Sequence, residues 1–142
     1  MKGTQTGTRF EKSSYDLLKT HGCSYENRRV YHTVHKWYEP DAITDKYVFE
    51  FKYQQVGGSV TKKLTQALFE LDWLSTELNL TPALVYEGNH LTKFIKSDTA
   101  FLNAKKLLPN IQLLDFPSFN DLISTSTNLN NREQNRLLEY AW

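Results

Sequence analysis

The sequence contains a single cysteine, Cys23, so no internal disulfide can form. The same shortage excludes a zinc site built from several thiolates. No stretch approaches the ~20 consecutive apolar residues needed to span a bilayer. The opening residues, MKGTQTGTRFEKSSYDLL, lack the apolar core of a secretory signal. These absences lead to the expectation of an intracellular, reducing, cytoplasmic setting. Repeats and low-complexity runs are missing too. So is an excess of charge of one sign: 17 Lys and Arg face 16 Asp and Glu, a net of +1. The pI of about 7.8 is below that of a globally basic nucleic-acid binder, so bulk charge names no partner.

What is present suits one folded domain. The chain has 142 residues, 39% apolar and 23% charged. Its charge is unevenly spread. Residues 1–63 carry 11 Lys and Arg against 7 Asp and Glu, and residues 64–142 carry 6 against 9. An anionic partner would therefore meet the N-terminal half.

Hydrophobic periodicity gives the elements. Phe10, Leu17 and Leu18 share one helical face, which predicts a helix over 8–20. Thr8 and Glu11 have the spacing of a capping box, and Gly22 ends the helix. Residues 29–38 (RVYHTVHKWY) have the β-branched and aromatic content of a strand. Residues 41–43 and 47–53 read as a hairpin around Thr44-Asp45-Lys46. Val60, Leu64, Ala67, Leu68, Leu71 and Leu74 mark a helix over 60–77, capped by Ser59 and stopped by Asn79 and Pro82. A buried strand at 82–86, a helix at 98–108 begun by Asp98, a strand at 111–116 and a short helix at 118–123 complete the core. The Ser-, Thr- and Asn-rich residues 124–131 read as a loop. Residues 132–142 read as a C-terminal helix that covers the core or meets a second copy. The order predicts an α/β (α+β) domain in three layers, a mixed sheet flanked by helices.

Alternate strand residues share a face. Glu50 and Lys52 therefore point together, with Gln54 beyond them. Tyr47, Phe49, Phe51 and Tyr53 point oppositely, toward a helix. Charges on an interior face must be paired, solvated or metal-bound. The hairpin returns Asp41 beside Glu50, and two neighbouring carboxylates favour a divalent cation with oxygen ligands. Lys52 could then orient water or stabilise charge developing on a phosphate.

Pro40-Asp41, eight residues, then Glu50-Phe51-Lys52 resembles the motif of the PD-(D/E)XK nuclease superfamily. The run Lys52-Tyr53-Gln54-Gln55-Val56-Gly57-Gly58-Ser59 before an amphipathic helix is similar to small restriction-type and homing-type endonucleases. The resemblance covers residues 1–123 as topology and about five positions specifically. It implies a restriction-endonuclease-like fold and Mg²⁺, with Mn²⁺ as a substitute. Asp41, Glu50 and the Phe51 carbonyl would hold the metal, Lys52 would be the catalytic lysine, and Glu11 would complete or orient the site. Asp45 is the alternative to Asp41, which is preferred because Asp45 suits the turn. The implied substrate is double-stranded DNA, which would bring the protein to the nucleoid. Gln54 and Gln55 would position water or touch the DNA backbone. Ser59, Lys62, Lys63, Arg28 and Arg29 are candidate phosphate contacts. One active site cuts one strand, so double-strand cleavage implies a homodimer or higher homo-oligomer. No membrane partner is expected, and without a Walker lysine no nucleotide cofactor either.

Three activities stay open: site-specific cleavage of restriction or homing type, Holliday-junction resolution, and non-catalytic DNA binding on a nuclease-like scaffold. Some features have ordinary alternatives. Glu11 can be a helix-capping acid, Gly57-Gly58-Ser59 a turn and cap, and the basic residues a solvated surface. His32 and His35 would face opposite sides of a strand, so they do not suggest zinc.

Overall fold

A computed structural model describes residues 2–27, 31–32, 37–55 and 60–125 of the chain. The element order is α1 (Lys2–Thr20), β1 (Tyr31–His32), β2 (Trp37–Tyr38), β3 (Ala42–Ile43), β4 (Tyr47–Tyr53), α2 (Val60–Leu78), β5 (Thr81–Glu87), α3 (Asn89–Ser97), α4 (Thr99–Leu107) and β6 (Gln112–Asp115). A further helix, α5, covers residues 116–125.

The main sheet has the order β3-β4-β5-β6. β3 and β4 are antiparallel, and β4, β5 and β6 run parallel. The parallel pairs follow from helices intervening between strands, since a crossover returns the chain in the same direction. Helices cover both faces, which makes three layers of α/β type.

On one face Phe10 and Leu18 of α1 and Phe119 and Ile123 of α5 pack with Phe49, Phe51, Ala83 and Val85. On the other, Leu64, Leu68, Leu71 and Leu74 of α2 meet Val48 and Leu84, joined by Leu91, Ile95 and Phe101 from α3 and α4.

Two helix ends follow the sequence closely. Gly22 has φ 71°, with Cys23 N–H donating to Leu18 and Gly22 N–H to Lys19. Asn79 has φ 55°, with Leu80 N–H donating to Ser75 and Asn79 N–H to Thr76. Both are Schellman endings, in which a left-handed residue lets the last carbonyls find donors. Asp98 caps α4 as expected, accepting from Phe101 N–H at 2.9 Å.

Four expectations change. α1 starts at Lys2, so Thr8 lies inside the helix and does not cap it. Of the single strand expected over 29–38, the described residues 31–32 and 37–38 are two short strands facing each other. β1 and β2 pair antiparallel as a separate two-stranded sheet, Tyr31 opposite Tyr38. α3 was not anticipated, because it buries only Leu91 and Ile95, too few residues to show a period. The helix over 116–125 takes in the first two residues of the expected 124–131 loop. The rest of that loop and residues 132–142 lie outside the described residues.

Candidate active site

The β3–β4 register places Ala42 opposite Phe49 and Ile43 opposite Val48. One step further along this antiparallel pair, Asp41 meets Glu50. Phe51 N–H donates to Asp41 Oδ2 at 2.7 Å, so the aspartate side chain closes the end of the ladder. Asp45 instead sits exposed in the turn, where Thr44 Oγ1 receives the N–H groups of Lys46 and Tyr47.

Glu50 is 4% exposed. Its Oε1 accepts from the Tyr38 hydroxyl at 2.7 Å, and its Oε2 pairs with Lys52 Nζ at 3.3 Å. A buried carboxylate is stable when charged only with such partners. Phe49 and Phe51, on the opposite face, belong to the α1 and α5 side as the alternation predicts. Their rings stack on each other and meet Phe119 at 5.2 and 5.6 Å.

The electrostatics are strained by crowding. Burial and the neighbouring Glu50 raise the Asp41 carboxyl to about 8, although the Phe51 N–H bond and Lys52 pull it down. Lys52 is opposed by burial, but Glu50 and Asp41 outweigh this and raise its pKa. It is therefore an ammonium at neutral pH. Burial and Glu50 also raise Tyr38 well above the usual phenol value, which keeps its hydroxyl a donor.

Glu11 stands further out. The Tyr15 hydroxyl lies 2.6 Å from the Asp41 carbonyl oxygen and 3.3 Å from Glu11 Oε1, linking the helix acid to the site. Among the described residues, no three Asp, Glu, His or Cys side chains gather closely enough to hold a cation by themselves. A metal here would rest on two carboxylates, main-chain oxygen and water.

Gln54 lies on the face of Glu50 and Lys52, 7% exposed, and among the described residues neither Nε2 nor Oε1 has a hydrogen-bond partner. Its backbone carbonyl accepts from Leu91 N–H at 3.1 Å, docking β4 onto the start of α3. Gly88 permits that approach: φ is 107°, and a Cβ would run into the Gln54 carbonyl. Gln55 is exposed, and its Oε1 accepts from Asn89 N–H at 3.3 Å. Lys63 is exposed on α2, which also carries Lys62. Arg28, Arg29, Ser59 and His35 lie outside the described residues.

Sequence reasoning missed Tyr38 and Tyr15. Tyr15 is four residues after Glu11, a spacing that pairs side chains on a helix. No local spacing announces Tyr38, because its contact crosses between two sheets.

No protein-family model matches the chain, and no curated protein matches it. Its fold is similar to the crystal structure of a protein of unknown function, AF1548, with a TM-score of 0.51 and 15% identity. The match covers 75% of this chain and 58% of that one. The similarity extends to the fold alone. Among the described residues no helix is long and apolar enough to cross a membrane.

Proposed function

We propose that this protein is a Mg²⁺-dependent DNA endonuclease that hydrolyses phosphodiester bonds and assembles as a homodimer or higher homo-oligomer for double-strand cleavage. The observation that carries this reading is the cluster of Asp41, Glu50 and Lys52 at the β3–β4 junction, with Asp41 raised to about 8. Burial first and the neighbouring Glu50 second hold that carboxyl up, and a divalent cation beside both would favour its charged form. The donor set fits a hard cation. Asp41 Oδ2 and each Glu50 oxygen keep a lone pair beyond the one bond each makes, and all are carboxylate oxygens.

Asp41, Glu50 and the Phe51 carbonyl are the residues that would hold the metal. When bound, the metal supplies Lewis-acid polarisation of the phosphate and a more acidic water. The chain's own groups do the rest. Water oxygen adds to phosphorus and gives up a proton to solvent, the bond to the leaving ester oxygen breaks, and that oxygen takes a proton from solvent. Negative charge grows on the non-bridging oxygens in between. Lys52, charged at neutral pH, is placed to stabilise it. Its raised pKa argues against a role as general base. Glu11 and Tyr15 brace Asp41 from α1.

The test is cleavage of plasmid, mixed-sequence linear DNA and a synthetic four-way junction, with Mg²⁺, with Mn²⁺ and with chelator. Metal-dependent cutting of duplex at mapped sites is the expected result. Symmetrical cutting of the junction in preference to duplex would transfer the site to junction resolution. Intact DNA in every reaction would leave a non-catalytic DNA-binding protein.

A further inference from the structure

We infer that Tyr38 is a positioning residue for Glu50, setting the orientation in which that carboxylate meets a divalent cation; this rests on the nuclease reading above. The two oxygens of Glu50 are held by different elements. Lys52, which takes Oε2 at 3.3 Å, is on the same strand two residues away. Tyr38, which donates to Oε1 at 2.7 Å, belongs to β2, in the separate small sheet. Lysine alone is a flexible point charge that would follow the carboxylate as it turned. A tyrosine ring packed at 5% exposure in the α2-side core cannot follow, so its hydroxyl fixes the carboxylate plane.

The arrangement has the logic of an outer partner to a metal ligand. Such a group orients the ligand and leaves its remaining lone pairs for the ion. A phenylalanine would fill the same core space without bringing an oxygen beside a buried charge. The hydroxyl's one described bond is to Glu50, which ties it to that carboxylate and not to packing.

Tyr38→Phe removes one oxygen and keeps the ring. The Mg²⁺ concentration for half-maximal cleavage is expected to rise about ten- to hundred-fold, the usual cost of losing an outer partner. The KM for DNA should stay close to wild type, and the unfolding midpoint should fall modestly, because a buried carboxylate loses one of its two donors. Mn²⁺ titration of the DNA-free chain should weaken by the same factor. In a Glu50→Gln background, Tyr38→Phe should add nothing. If the Phe variant does not fold, Tyr38→Met tests the same missing donor. Wild-type metal dependence and wild-type Mn²⁺ affinity in a folded donor-free variant would overturn the inference while cleavage by the parent stands. A parent that binds Mn²⁺ weakly after Tyr38→Phe, yet cuts no DNA in either form, would retain the inference and overturn the nuclease reading. A parent that neither binds Mn²⁺ nor cuts would overturn both.

Discussion

The two faces of β4 are drawn from alternate residues of one strand, yet they meet opposite demands. Toward α1 and α5, Phe49 and Phe51 are sealed against Phe119 in an apolar layer that needs no partner beyond good packing. Toward α2, Val48 joins the core, but Glu50 and Gln54 follow it into the interior, with Lys52 half-buried between them. That second face keeps a carboxylate, an ammonium and an amide without a partner among the described residues, where a row of leucines would be more stable. The difference teaches where the fold concentrates stability and where it gives some up. A polar row of this kind persists only if something else uses it.

The comparison breaks first at the charges. Glu50→Gln or Lys52→Ala should lower cleavage by on the order of 10²–10³-fold, the scale of losing a main electrostatic partner in the transition state. Rates within a few-fold of wild type in a Mg²⁺ cleavage assay would detach the polar face from chemistry. On the apolar face the loss should appear as stability. Phe49→Ala should cost about 3–5 kcal/mol in denaturant unfolding, because a fully buried aromatic leaves a cavity among tightly packed rings. A cost under about 1 kcal/mol would mean that the layer is not the closed core described.

The third contrast is in pH. Asp41 ordinarily titrates near 3.8 and is held at about 8 in the fold. Between those values the folded state keeps a proton that the unfolded chain has lost, so metal-free stability should fall as pH rises through that window. Asp41→Asn should flatten the decline, measured as unfolding midpoint against pH in chelator. A slope identical to wild type would place the proton elsewhere. The smallest effect concerns Gln54. Replacing its orphaned amide in Gln54→Leu should stabilise the chain by about 1–3 kcal/mol. Slower DNA cleavage in the same variant would mark a residue kept for function at some cost in stability. Unchanged stability would mean that the amide finds partners in solution.

Much of this was legible in one dimension. Alternation alone separated Phe49 and Phe51 from Glu50 and Lys52, because a strand's period of two admits one arrangement of faces. Gly22, Asn79 and Asp98 named helix ends, because left-handed backbone and a free carboxylate are local requirements. Thr8 misled for the same reason: a capping-box spacing is local, and nothing in it says whether a helix has already begun. α3 stayed hidden behind a face only two residues deep.

The sequence by itself determined the composition of each strand face, the principal helix ends and the pairing of Glu50 with Lys52. These depend on periods of a few residues. Only the tertiary structure decided that Asp41 rises to about 8, that Tyr38 reaches Glu50 from another sheet, that Tyr15 ties α1 to the Asp41 backbone, and that Gln54 is buried with no partner among the described residues. Burial and proximity between distant segments set those properties. Neither is a function of spacing along the chain.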